Sequence, residues 1–262
     1  MRFIKIAFSL IALILSGCGQ NSKDTVVVGT IAGPESELME VAQQVAKDKY
    51  GVVVKIVEFN DYNLPNEALQ DGSLDANVYQ HEPYLQAAKK AHGYTLKSIG
   101  KTFIYPTAIY SNKHKNLKSV PQKALVAIPN DPSNEARALL LLEQSNLIQL
   151  DTQDNPTLQN ITANPKNLKF KELDAAQLPR VLDDVDLAVI NTNFAVPAGL
   201  SPSKDGLAKE NTDSPYANII VINQNSDKKD KLSKLVQALN SDEVAQKAKS
   251  LFGDAAVPAW KN

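Results

Sequence analysis

The sequence predicts an α/β protein of two lobes. Strand-like and helix-like patterns alternate from Thr25 onward, and the alternation begins afresh near residue 124 once a first round is complete. With 262 residues, 43% of them hydrophobic, the chain is long enough to bury two cores.

In the first round TVVVGT (25–30) reads as a strand. ESELMEVAQQVAKDKYG (35–51) follows as a helix, with Leu38, Val41, Ala42, Val45 and Ala46 on one face and Gly51 closing it. VVVKIVEF, PNEALQDG, DANVYQ, PYLQAAKKAHG and TLKSIGKTFIYPTAIYS continue as strands and helices in turn. The second round opens with the strand ALVAIPN (124–130) and a helix from Pro132. A polar loop, the strand LKFKEL, the helix AAQLPRVLDD (175–184) and the strand LAVINT come next. Such alternation favours parallel sheets covered by helices. A last strand, NIIVIN, and two helices over 229–253 can return to either lobe. The expected division is 25–107 with 198–262 for the first lobe and 108–197 for the second.

Residues before Thr25 follow a different pattern. MRFIK supplies positive charge, an apolar run follows, and Leu15-Ser16-Gly17-Cys18 ends it, which reads as a secretory signal. About twelve apolar residues fall short of the roughly 20 that a spanning helix needs. LSGC resembles the bacterial lipobox, which implies removal of residues 1–17 and lipidation of Cys18, with 18–24 as a tether; the alternative is an ordinary signal that leaves an idle cysteine.

Charge and composition exclude several functions. Lys and Arg total 28 against 29 Asp and Glu, so the basic surplus that nucleic acid requires is missing. Cys18 is the only cysteine and there are three histidines, so no intrachain disulfide forms and a Cys-His zinc site is not expected. QHEPYL begins like a zinc-protease helix, but position 85 is Leu where the second histidine belongs, and Pro83 would break the helix. There is no Gly-x-Ser-x-Gly elbow or Gly-rich phosphate loop, and Asp183, Asp184 and Asp186 read as a solvated helix end. No catalytic group and no cofactor is expected.

Binding features are clearer. In IPNDPSNEARALLLL (128–142) a strand ends at Pro129, Asp131 suits a helix cap and Pro132 the first helical position. Asn134 and Arg137 then share a helical face at a potential anion site, where Arg137 can clamp a carboxylate through two parallel hydrogen bonds; the alternative is a solvent-facing Arg137. Asn191 ends a buried strand, where α/β proteins hold ligands, or else it only forms a turn. Tyr62, Tyr79 and Tyr84 cluster within 25 residues around His81, as a pocket wall or as ordinary core aromatics.

FNDYNLPNEAL, DANVYQHEPYL, IPNDPSNEARALLLL, AAQLPRVLDD, LAVINTNFA and SPYANIIV together resemble the methionine-binding lipoprotein family, the substrate-binding components of bacterial methionine ABC importers. The resemblance spans the whole mature chain. It implies a periplasmic-binding-protein fold, two α/β lobes closing over methionine at a hinge, and delivery of L-methionine or a close analogue to a permease and ATPase. It implies binding positions at Tyr62, Tyr79, His81, Tyr84, Asn134, Arg137, Asn191 and Asn218, with His81 giving a hydrogen bond rather than a metal bond. Arg137 and Asn134 would take the carboxylate, and the side-chain oxygens of Asn191 and Asn218 the ammonium. Position 79 departs from the pattern, being Tyr where close relatives would carry Phe. Alternatives are D-methionine or a methionyl dipeptide as ligand, a lyase or dehydratase on a two-lobe fold, and an adhesive surface lipoprotein.

Overall fold

The computed structural model describes residues 24–211 and 215–261. The expected signal, Cys18 and most of the tether lie outside these. The first lobe begins with β1 (Thr25–Ile31), α1 (Pro34–Tyr50), β2 (Val53–Phe59), α2 (Leu64–Gln70), β3 (Ala76–His81), α3 (Glu82–His92) and β4 (Leu96–Ile104). The second contains β5 (Ala108–Tyr110), β6 (Leu125–Pro129), α4 (Pro132–Gln144), β7 (Gln149–Leu150), β8 (Ile161–Ala163), β9 (Lys169–Leu173), β10 (Leu187–Ile190), α5 (Thr192–Ala195) and β11 (Ala208–Lys209). The chain then returns to the first lobe as β12 (Ala217–Asn223), α6 (Lys229–Leu239), α7 (Asp242–Phe252) and β13 (Val257–Pro258).

Strand order is β13-β4-β12-β3-β1-β2 in the first sheet and β11-β5-β10-β6-β9 in the second. Both are mixed rather than purely parallel: β12 runs antiparallel between β3 and β4, and β5 runs antiparallel to β10. Because β11 pairs with β5, the return crossing falls between Lys209 and Ala217. The expected switch at residue 198 is therefore too early, since two residues of edge strand leave no periodic signature. Two connectors thus join the lobes, 105–107 and 210–216.

Local chemistry explains the elements. Gly51, at φ 66°, ends α1 in the left-handed conformation and donates its N–H to Lys47 and Ala46. Residues 175–184 form not an α-helix but a short 3-10 helix, Ala175–Val181, because Pro179 has no N–H to continue an α-helical ladder. The C-terminal helices settle on the first lobe only, where Leu232, Leu235, Val244 and Ala248 join Leu38, Ala42 and Val45 of α1 in one core. A buried amide cluster ties α2 to β3, with Asn77 Nδ2 donating to Asn66 Oδ1 at 2.9 Å and Gln80 Nε2 to Asn77 Oδ1 at 2.9 Å. It fixes the loop that carries Tyr62.

In the second lobe Leu139 and Leu142 of α4 are fully buried against Ile128, Leu187 and Val189. That packing sets the rotation of α4, and so the direction in which Asn134 and Arg137 leave it. Leu139→Ala should lower stability by about 2–5 kcal/mol, read from urea unfolding with an unchanged slope. A wild-type midpoint would show that α4 is anchored elsewhere.

Candidate ligand-binding site

Four strand ends converge between the lobes, two from each sheet, at the carboxyl edges where open α/β sheets present ligand sites. β1 leads to Glu35 at the start of α1, β3 ends in His81, β6 leads to Asn134, and β10 ends beside Asn191. They frame a narrow, partly open cleft lined by Tyr62, Tyr79, His81, Tyr84, Asn134, Arg137, Asn191 and Asn218. All eight residues expected from the sequence are therefore brought together. Gln80, Tyr105, Thr192 and Asn193 complete the wall.

One side of the cavity is aromatic. The Tyr62 ring lies 5.8 Å from Tyr79, 6.1 Å from Tyr84 and 4.8 Å from Phe194 of the opposite lobe, centroid to centroid. Tyr84 Oη donates to the Tyr62 carbonyl at 2.8 Å, whereas the buried Tyr79 hydroxyl has no hydrogen-bond partner.

The other side is a chain of amides. Asp131 caps α4 as the Asn-Asp-Pro sequence predicts, accepting from the Asn134 backbone N–H at 2.9 Å. It also accepts from Asn134 Nδ2 at 3.0 Å, which leaves Asn134 Oδ1 free to accept from Asn191 Nδ2 at 2.8 Å. Asn191 Oδ1 is left buried without a partner, consistent with a site that offers an acceptor. His81 caps α3, its Nδ1 accepting from the Tyr84 N–H at 3.2 Å; the ring proton therefore sits on Nε2, 3.4 Å from Asn134 Oδ1. Burial, aided by the positive Arg137, pushes the imidazole down to about 3, so His81 is a neutral donor.

Arg137 departs from expectation. It is buried, not solvent-facing, and its fork is already engaged by a carboxylate of the protein: Nε donates to both oxygens of Glu210 at 3.1 Å, and Nη2 reaches Glu210 Oε2 and the Tyr105 carbonyl, the latter at 2.9 Å. The guanidinium also lies 4.5 Å over the Tyr216 ring. Its remaining edge, Nη1, makes no hydrogen bond among the described residues, so Arg137 can offer a ligand that edge but not the two-pronged clamp. The expected anion site at the start of α4 is likewise partly filled by Asp131.

The sequence reading missed Glu35, Asn193, Tyr105 and Glu210. Glu35, buried at the start of α1, accepts from Asn193 Nδ2 at 2.7 Å and from Asn218 Nδ2 at 2.9 Å, joining the two lobes. Burial outweighs those two donors and pushes its carboxyl up to about 8. The only sequence signal was position, the first turn of a helix directly after a strand.

Comparison with known proteins identifies the family. The NlpA lipoprotein family profile matches residues 26–260. The D-methionine-binding lipoprotein MetQ of Salmonella typhi is 51% identical over 255 residues, covering 95% of this chain and 94% of that protein. An ABC transporter periplasmic substrate-binding protein from Coxiella burnetii superposes with a TM-score of 0.87 at 57% identity, covering 89% of this chain and 100% of the other. A nutrient-binding protein from Burkholderia cenocepacia, solved bound to methionine, gives 0.85 at 51% identity, with coverage of 89% and 99%. The chain belongs to the NlpA lipoprotein family.

Proposed function

We propose that this protein is a lipid-anchored substrate-binding protein that captures methionine between its lobes and delivers it to the permease and ATPase of an ABC importer. One observation carries the binding reading: the cavity has an aromatic wall facing an amide wall that holds the unpartnered acceptor Asn191 Oδ1 and the unused Nη1 edge of Arg137. A zwitterion with an apolar side chain matches both walls. In this reading Arg137 holds the carboxylate without the expected help of Asn134, whose Nδ2 is given to Asp131; the oxygens of Asn191 and Asn218 take the ammonium, and the thioether lies against Tyr62, Tyr79 and Tyr84. Each sulfur–ring contact contributes about 0.3–1.5 kcal/mol. Neutral His81 holds the amide chain in register. The names of the relatives support methionine among amino acids with apolar side chains, and the protein itself carries out no reaction.

No helix among the described residues is long and apolar enough to cross a membrane, so attachment in this reading rests on Cys18, placing the protein in the cell envelope. Cys18→Ser should release it from the membrane fraction or leave it unprocessed. A processed serine variant that still sediments with membranes would defeat the anchor.

Methionine binding is tested by calorimetric titration of ligand-stripped protein with each enantiomer. A folded protein that binds neither would overturn the reading. Arg137→Ala should weaken binding by roughly thirty-fold or more, the effect of losing a buried charged donor. It should also lower stability, because the buried fork-to-carboxylate contact with Glu210 is lost. Arg137→Lys should recover only part of each, since an ammonium cannot serve Glu210, Tyr105 and a ligand in one plane. Near-normal affinity in the alanine variant would move the carboxylate site elsewhere.

A further inference from the structure

Among the described residues Glu35 takes part in no ion pair, and the only hydrogen bonds to its carboxyl come from the two amides. A buried carboxyl group held by two N–H donors has the bonding of the ionised form, yet it lacks a cation. The neighbours do not provide one. Tyr62, ahead of α2, and Tyr105, in the first connector, both sense the Glu35 charge, and burial holds both far above neutrality as hydroxyls. Asn193 comes from α5 and Asn218 from β12, and neither titrates. Arg137 is engaged by Glu210.

The two amides are also constrained in orientation. Because each gives its Nδ2 to Glu35, each directs its carbonyl oxygen elsewhere. Asn193 and Asn218 both line the cavity, and Asn193 Oδ1 is buried without a partner. Glu35 thus does two things from behind the wall. It fixes two cavity amides with their acceptors free, and once ionised it adds the potential of a negative charge close to them. Both favour a ligand group that donates hydrogen bonds and carries positive charge.

We propose that Glu35 is the positioning residue that makes this cavity selective for an ammonium group, and that arrival of the ammonium ionises Glu35. The inference rests on the reading of the site as an amino-acid site. The proton balance is simple: the Glu35 O–H bond breaks, its electron pair stays on the carboxylate, and the proton passes to solvent and is taken up by buffer, while the ligand keeps its own ammonium protons. With the protein's own groups the carboxyl titrates near 8, so it is mostly protonated at neutral pH. Ligand affinity should therefore rise with pH below about 8 and level off above it, since the binding form is the one that has lost the proton.

The test is calorimetry on ligand-stripped protein at pH 7 in phosphate and in Tris, whose ionisation enthalpies differ widely. The wild type should release on the order of one proton per methionine bound, so the apparent enthalpies differ between buffers. It should bind the α-hydroxy analogue of methionine, which lacks the ammonium, measurably but far more weakly than methionine. In Glu35→Gln one of the two acceptor oxygens becomes a donor. Methionine binding should then fall by roughly thirty-fold, that of the hydroxy analogue should change much less, and proton release should vanish. Retained binding of the hydroxy analogue shows that the variant is folded, and the buffer comparison needs no variant at all. If the wild type binds methionine with equal enthalpy in both buffers, or the variant keeps its preference for the ammonium, the role of Glu35 is overturned while the amino-acid site stands. A wild type that binds no amino acid overturns both.

Discussion

A guanidinium buried between two lobes must find its hydrogen bonds and its counter-charge on the spot, and Arg137 finds them in the chain segments that join the lobes. Glu210 belongs to the second connector and the Tyr105 carbonyl to the first, while the ring of Tyr216 lies beneath the guanidinium. Glu210 is itself held by the first connector, since the Thr107 N–H donates to its Oε2 at 3.3 Å and its own N–H donates to the Thr107 carbonyl at 2.9 Å. One side chain from α4 thereby ties the second lobe to both connectors. Losing Glu210 would strand the guanidinium in a dry place, which is costly enough to keep the assembly intact. The position of the cavity follows, because the strand ends that line it are set by how the connectors hold the two sheets.

Within that frame the amides leave little freedom. Asp131 accepts from the Asn134 amide and so fixes it; Asn134 Oδ1 in turn accepts from Asn191 Nδ2 and faces the His81 Nε2–H. Glu35 fixes Asn193 and Asn218 in the same way. Each chain begins at a carboxyl group on the protein side and runs toward the cavity, and Asn191 and Asn193 both end in a buried oxygen without a partner. Unmet buried acceptors are expensive unless something arrives to satisfy them, and a cavity wall is where that happens.

The fold and much of the site were legible for local reasons. Strand and helix periodicity, the Asp131-Pro132 start of α4 and the three-residue spacing of Asn134 and Arg137 are properties of short windows. The tyrosines stood out because they are close in sequence. What escaped were pairings across distance. Glu210 lies 73 residues from Arg137, and Glu35 lies 158 and 183 residues from the asparagines it holds. On local grounds Glu35 looks like any acid in a first helical turn, favoured there by the helix dipole. The clamp expected of Arg137 failed for the same reason: a helix shows where a guanidinium starts, not which carboxylate reaches it from another strand.

The aromatic wall completes the division of labour. Tyr62, Tyr79 and Tyr84 of the first lobe meet Ala175 and Phe194 of the second in one apolar cluster, so closing the lobes removes ring surface from water on both sides. That driving force has no direction and does not distinguish one apolar side chain from another. Direction comes from the opposite wall, where neutral His81 and the oriented amides admit a donor or an acceptor only at set places. A single apolar cluster spanning the cleft can thus favour closure around many guests, while the Arg137–Glu210 and Glu35–asparagine arrangements limit which guest leaves no polar atom unmet. In the proposed reading affinity and selectivity rest on different residues of one cavity, and for that reason a substitution at Glu35 can separate them.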